Sequence, residues 1–555
     1  LAIGQAAIAL CGVRRWSWLS PAVGLALLCA ICWGSVRLPG EGTLSAVVVL
    51  VLVVLSVAYL WGRLSGGGGV LWLGVPVALV ALLATALPFI AEGHFGILGT
   101  SFNPDMSQHL LATDRLAHGD SSQLLHQGYP LGPHSIVVAL NKGLGIGIVQ
   151  GFTGLTIAVA VIASLTALAA FREQPPWLAI AAALVLGLTY MVASYFAQGS
   201  FKETMQALFF LAFVLALREV SRNADWRELP LRLIPAALLA VGSVYTYSFP
   251  GLIWLGAAFV VWAILERALP LPPALFGLGV FAVLIAPEIG RMIDFHSFET
   301  FDPNGPGLGN LFGQISPFEG FGIWPSGDFR LSPGDGAVPA LGYYAGAAFA
   351  AILLVYGLVL CWRRRERALI AGLTAAALAY AAARLVGTPY TAAKAIEVGA
   401  PLAVLVILLP LLRRPVAWLY LAAAAGCSLL ALANAPVGPT SYSPALTGLR
   451  GDVGEGPTLV LASRKLLADE HGTPYISWEL RGGRVCIKTP EEANGNPPPG
   501  VRFVVTESSR SQPPFANLRR VRVSPPYVLW ERAVRRGRSP CPLIAVRQAR
   551  QGAPR

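Results

Sequence analysis

The sequence predicts an all-α polytopic membrane bundle of about fourteen transmembrane helices, followed by a small α/β extracytoplasmic C-terminal domain. Three observations predict it. Of the 555 residues, 55% are hydrophobic and only 13% charged, more apolar surface than a soluble fold of this length can bury. The apolar residues come in runs of about 17 to 23, which as helices rising 1.5 Å per residue cross roughly 30 Å of hydrocarbon. A porin-type barrel would alternate apolar and polar residues instead. Beyond about residue 441, short β-branched runs and Gly/Pro breaks replace the long apolar runs.

Taken in order, residues 1–13 are apolar but short, and they read as a partial first span. A cleaved leader is disfavoured, since no basic segment precedes the run and Arg14–Arg15 follow it directly. Spans expected at 17–36, 43–62 and 70–91 complete the N-terminal region, 1–91. The region 92–149 opens with a polar stretch from Glu92 to His134, too long and too rich in Asp, His and Gly for a simple turn. Its second part, 135–149, carries Asn141, Lys142 and several glycines, and reads as an interfacial or re-entrant helix. The region 150–434 is the transmembrane core. Its spans are expected at 150–171, 177–197, 203–218, 231–247, 250–266, 272–293, 339–361, 368–385, 396–412 and 416–434, with an external loop at 295–338 rich in Gly, Pro and aromatics. In the tail, 441–555, strands are expected at Thr458 to Leu461, Arg484 to Lys488, Val501 to Thr506 and Tyr527 to Trp530, with one helix near Ser463 to His471.

The net charge of +12 does not point to nucleic acid, because the arginines gather in short loops: Arg14–Arg15, Arg218 to Arg227, Arg363 to Arg367 and Arg413–Arg414. Placing these clusters in the cytoplasm puts both long loops and the tail outside, provided 135–149 does not cross. The basic excess of the tail suits anionic headgroups of membrane lipids or anionic glycans. Five cysteines sit in apolar runs as small hydrophobes, the Cys29–Cys32 pair included. Cys486 and Cys541 are left as the candidate disulfide of an external domain.

Chemistry concentrates in the first long loop. Asp105 and His109 are four apart and share one face of a helix. A carboxylate beside a histidine suits a general base, and Asp105 equally suits a helix N-cap. His94, His109, His118, His126 and His134 all fall in or beside this loop, so a divalent metal is left open, though the spacings match no structural zinc pattern. Lys202 and Glu203 follow Gly199–Ser200 at a span boundary, where they either reach the interface or face a cavity. Glu288, Arg291 and Arg384 stand near outer span ends under the same two readings, and His296, Glu299, Asp302, Glu319 and Asp328 offer a second carboxylate in the second loop without singling one out.

Pro104–Asp105–Met106 with His109 three residues on, then Tyr129–Pro130–Leu131–Gly132–Pro133–His134 before the next span, resembles bacterial membrane glycosyltransferases of the GT-C fold, their actinobacterial relatives included. The stretch Pro389 to Leu402 resembles a late loop-and-span of the same superfamily. The resemblance implies a multi-pass protein of the bacterial plasma membrane with a polyprenyl-phosphate-sugar donor and a glycan, lipid or protein acceptor. It implies that Asp105, with His109, activates the acceptor hydroxyl. Lys394, joined by Lys202 or Arg384, would meet the donor phosphate, and His134, Tyr129 and Tyr390 would bind substrate. Three spans precede the loop where many members have one, and no paired acidic motif flanks Asp105, which leaves metal dependence unassigned.

The function expected is inverting transfer of a sugar from that donor at the outer membrane face. The alternative is a transporter or flippase of a lipid-linked glycan, for which the chain shows neither clear internal repeats nor broken helices at the midplane. A scaffold presenting the tail would leave the Asp/His-rich loop unexplained.

Overall fold

In a computed structural model of the chain, residues 1–532 are described except 14, 64–70, 101–104, 119–123, 125–126, 223–229, 268–270, 297–306, 337, 442, 455, 464–472, 482–484, 494–499 and 509–511. The membrane part comprises α1 (Ala2–Leu10), α2 (Ser20–Val36), α3 (Glu41–Leu60), α4 (Gly74–Glu92), α5 (Met106–Ala117), α6 (Gly132–Leu144), α7 (Ile148–Ala167), α8 (Pro176–Gly187), α9 (Tyr190–Ala197), α10 (Phe201–Ser221), α11 (Ile234–Tyr247), α12 (Leu252–Glu266), α13 (Leu271–Ile285), α14 (Ile289–His296), α15 (Ala340–Arg363), α16 (Arg367–Val386), α17 (Pro389–Leu411) and α18 (Pro415–Ala433).

Among the described residues, ten helices are long and apolar enough to cross a membrane, eleven if α8 and α9, bent by 50° at their junction, make one span. The other segments of the expected fourteen hold shorter helices. Each of the fourteen segments contains a helix, but α1 has 9 residues, α2 has 17, and the segment Leu231–Tyr247 is an apolar helix in the same short class. At 1.5 Å per residue, 17 residues rise about 26 Å, the lower limit of spanning lengths. The 50° bend between α8 and α9 interrupts what reads in the sequence as one continuous span at 177–197.

Burial divides the bundle into shells. The apolar windows of α10 and α17 are 89% and 94% buried, whereas those of α3 and of Leu271–His296 are 17% buried. Outward valines and leucines of α3, among them Val47, Leu50, Val54 and Leu55, are therefore a lipid face, where apolar exposure carries no penalty. The inner pair, α10 and α17, pack on each other, and α10 also packs on α7, α11 and α16.

The first loop is tied down at both ends. β1 (Ile97–Leu98) pairs antiparallel with β2 (Val437–Gly438), which follows α18, and the Gly99 amide donates to the Pro436 carbonyl at 2.8 Å. α6, with 13 residues, packs against α2, α3, α5 and α7 and is not among the candidate spans.

The tail folds as a five-stranded mixed sheet of order β4-β3-β5-β7-β6, built from β3 (Thr458–Leu461), β4 (Val485–Lys488), β5 (Phe503–Glu507), β6 (Leu518–Ser524) and β7 (Tyr527–Arg532). β3 runs parallel to β4 and β5, and β7 antiparallel to β5 and β6. α19 (Pro444–Val453) and α20 (Thr473–Glu479) supply Leu446, Leu449, Ile476 and Leu480 to one face of the sheet. β6 escaped the sequence reading because Arg519, Arg520 and Arg522 interrupt its apolar pattern, as suits an exposed edge strand. The helix expected near Ser463 to His471 lies almost wholly outside the described residues. Cys486, in β4, forms a disulfide, and the expected partner Cys541 lies outside the described residues.

Candidate functional site

The site grows from three short stretches that close glycines bring together. Gly99, at φ +80°, lies so near the Gln198 backbone that a Cβ would come within 2.2 Å of it, and a Cβ on Gly199, at φ +73°, would meet the Leu98 carbonyl at 2.6 Å. Only glycine fits either place, so the loop after β1 presses onto the turn between α9 and α10. The third stretch is the start of α17. Thr388 accepts from the Thr391 amide at 3.2 Å while its own amide donates to Thr391 Oγ1 at 2.8 Å, a capping box with Pro389 in the first turn. This cap starts the helix just ahead of Tyr390 and Lys394.

A pocket of about 350 Å³, open mouth included, lies between these stretches. It is lined by Asp105, Met106, His109, Gln198, Gly199, Ser200, Phe201, Lys202, Glu203, Tyr390 and Lys394. Six residues singled out in the sequence thus line one pocket: Asp105, His109, Lys202, Glu203, Tyr390 and Lys394. Asp105 occupies the N-cap position of α5, yet its side chain caps no backbone amide. It stays exposed at the pocket, while the protein crowding it raises its carboxyl above the usual range against the pull of Lys202 and Lys394.

His109 is buried, and its Nδ1 is 3.1 Å from His134 Nε2, so one imidazole donates to the other and the His109 ring is held in orientation. Burial keeps both neutral. His134 is pushed down to about 3, and His109 well below its ordinary value, with the charge of Lys202 adding to desolvation. Lys202 Nζ lies 4.3 Å from the centroid of the Tyr129 ring and makes no ion pair among the described residues. Lys394 Nζ pairs with Glu203 at 2.8 Å and lies 4.3 Å from the Tyr390 ring centroid. Tyr129 and His134 therefore stand behind the wall, each supporting a residue that lines it.

Other candidates are placed elsewhere. Arg384 is exposed near the end of α16 and does not line the pocket. Glu288 and Arg291 form a closed cluster: Glu288 accepts from Trp33 Nε1 at 2.7 Å, pairs with Arg37 at 3.2 Å and with Arg291 at 2.5 Å, and Arg291 donates to the Gly128 carbonyl at 2.8 Å. In the second loop, Glu319 accepts from the Ser316 amide and Asp328 pairs with Arg330 at 2.7 Å, while Glu299 and Asp302 lie outside the described residues. His94 bonds to the Glu92 carbonyl and His118 to the Asp114 carbonyl; His296 stacks on Phe249, and His126 is outside the described residues.

Among the described residues, no group of three or more His, Cys, Asp or Glu converges as metal ligands. The pocket lining pairs two carboxylates, Asp105 and Glu203, with two lysines, Lys202 and Lys394.

Sequence reasoning missed Gln198, which accepts from Asn310 Nδ2 at 2.5 Å and so ties the second loop to the pocket. It also missed Glu397, three residues beyond Lys394, fully buried with neither carboxylate oxygen hydrogen-bonded. Its helical spacing from Lys394 was the available signal.

No protein-family model matches the chain, and no curated protein matches its sequence. Among solved structures it is similar to ArnT from Cupriavidus metallidurans bound to undecaprenyl phosphate, at 13% identity and TM-score 0.46, over 83% of this chain and 98% of that one. It is also similar to the Archaeoglobus fulgidus oligosaccharyltransferase in complex with Zn and sulfate, at 12% identity and TM-score 0.41, over 78% and 68%. These are weak global likenesses, and the functional reading rests on the pocket.

Proposed function

We propose that the chain is a glycosyltransferase that moves a sugar from a polyprenyl-phosphate donor to an acceptor hydroxyl at the outer face of a bacterial plasma membrane. One observation carries the reading: a carboxylate and two lysines from three separate stretches line the same pocket. The side assignment follows from the basic clusters, which lie at the far ends of the helices whose near ends form the pocket. The tail would then be extracytoplasmic.

In this mechanism Asp105 takes the proton of the acceptor hydroxyl as its oxygen attacks the anomeric carbon from the face opposite the phosphate. The bond from that carbon to the phosphate oxygen breaks, and configuration inverts. The donor phosphodiester carries one negative charge and the departing monoester gains another. Lys202 and Lys394 therefore bind the transition state more strongly than the ground state, which is the condition for lowering the barrier. The crowding that raises the Asp105 carboxyl also makes it a better base.

Asp105→Asn keeps the shape and removes the proton acceptor. Turnover with a polyprenyl-phosphate-sugar donor should fall by at least about a hundredfold, with donor affinity and thermal stability retained. Full activity in this variant would remove Asp105 from the mechanism.

A further inference from the structure

The helix that presents Asp105 and His109 is held from outside the membrane bundle. α5 packs against α20 of the tail domain. Within α20, Ile476 belongs to the tail's own core, as does Leu480 just beyond the helix, but Trp478 turns away from them, is 1% exposed, and is counted in the continuous apolar core of the bundle. Arg481 lies 3.7 Å over the Trp478 ring and donates to the Trp478 carbonyl at 3.0 Å, which covers the indole on its outer side. At the far end of α5, Asp114 is buried within electrostatic reach of both Arg450 and Arg481 of the tail. Arg450 is itself fixed, its Nε donating to the Glu479 carbonyl at 2.9 Å.

A helix of 12 residues transmits a tilt from one end to the other, because its hydrogen-bonded turns do not bend independently. At its pocket end α5 packs on α6 and α7, and His109 meets His134 of α6. The lysines sit on α10 and α17, which do not depend on α20.

We infer that Trp478 is a positioning residue: seated between the tail and α5, it sets the reach of Asp105 and His109 into the pocket, so that the tail domain governs turnover without touching the donor site. The inference rests on the transferase reading of the pocket. Its geometric half can be measured without any turnover.

The test uses the full-length protein in lipid nanodiscs, comparing wild type, Trp478→Ala and Trp478→Phe. Amide exchange across 106–117 should speed up in Trp478→Ala while exchange in α10 and α17 stays slow. Binding of polyprenyl phosphate should change by less than about twofold, and kcat should drop by about ten- to a hundredfold, the scale of a misplaced catalytic group. Trp478→Phe, which refills most of the apolar site, should restore both exchange and kcat. Unchanged exchange in α5 would overturn the inference, as would equal loss of polyprenyl phosphate binding with fast exchange throughout the bundle. If wild type transfers no sugar, the transferase reading fails on its own, and the exchange data still decide whether Trp478 holds α5.

Discussion

The two ends of α10 and α17 use the same charged side chains for opposite purposes. At one end, Arg218 grips Glu366 through two bonds of 2.7 and 2.9 Å, Arg222 bridges Glu366 and Glu173 at 3.2 Å each, Arg172 meets Glu219 at 2.6 Å, and Arg413 donates to Gln174 at 2.9 Å. Each of these cations has an oxygen partner from a neighbouring loop or helix. At the other end, about 24 Å away along α10, Lys202 rests over an aromatic ring and Lys394 shares Glu203 at the edge of an open pocket. A staple satisfies its charges internally, whereas a binding site keeps positive capacity in reserve. Function here follows from how the charges are partnered: four arginines are tied to oxygens at one end, and two lysines line a pocket at the other.

The largest expected effect tests the staple. Arg218 and Glu366 are nearly buried, so Arg218→Ala leaves the carboxylate only the more exposed Arg222 and should cost about 3 kcal/mol. Thermal unfolding in nanodiscs would show it, with kcat per folded molecule unchanged. A variant equally stable but inactive would merge the two ends into one functional network and break the comparison.

Next come the lysines, for which the two readings of a pocket charge separate cleanly. Lys202→Ala removes a cation that makes no ion pair among the described residues, so polyprenyl phosphate affinity should drop by about tenfold or more with little change in stability. Lys394→Ala should lose affinity and stability together, because Glu203 is left buried without its partner. Adding Glu203→Gln should then recover the stability and not the affinity. Recovery of both would make the Lys394–Glu203 pair structural and leave Lys202 as the phosphate ligand.

Much of this was legible in the sequence for a physical reason. Apolar runs must be helical in lipid, since no water is present to satisfy the backbone, so the helices at 43–62, 339–361 and 416–434 follow from composition alone. The pocket was partly legible: the spacing of Asp105 and His109 drew attention to the first loop, the cost of charge at a span boundary to Lys202 and Glu203, and the family resemblance to Lys394. Pairing was not legible. Nothing local in Glu203 or Lys394 says they meet, as they are brought together by the packing of α10 on α17. Nor does anything in Arg384 distinguish it from Lys394 before its exposed position at the end of α16 is seen. The break between α8 and α9 was hidden for a related reason: Leu188 and Thr189 leave the apolar run intact while the backbone turns by 50°.

A smaller effect concerns pH at the pocket end. His109 and His134 are held neutral in the fold, with His134 pushed down to about 3, whereas unfolded histidine titrates near 6.5. A depressed folded value means that the unfolded chain binds the extra proton first. The contribution of the pair is therefore complete above about pH 6.5 and is lost as pH falls toward about 3, by up to about 1.4 kcal/mol per pH unit for each group. His134→Gln removes one titrating group, so melting temperature plotted against pH should fall less steeply below pH 6 than in wild type. Parallel curves would mean that His134 is already protonated in the fold.

The smallest expected effect belongs to the rim of the staple. Arg222 and Glu173 are 3.2 Å apart, but their side chains are 47% and 78% exposed. Water screens such a pair and ordering two long side chains offsets the attraction, so exposed pairs are worth about 0.2–1 kcal/mol at most and are often unmeasurable. Arg222 also keeps Glu366 when Glu173 is neutralised. Glu173→Gln should accordingly shift stability by no more than about 0.5 kcal/mol, and even that should fade in about 1 M salt, where the Debye length is about 3 Å. Turnover should not change, since the pocket lies at the opposite end of α10. If Glu173→Gln instead destabilised the protein as strongly as Arg218→Ala, the stabilising centre of the basic end would have to move from the buried Arg218–Glu366 contact to its surface. Burial would then no longer separate the charges that hold the bundle from those that merely decorate it.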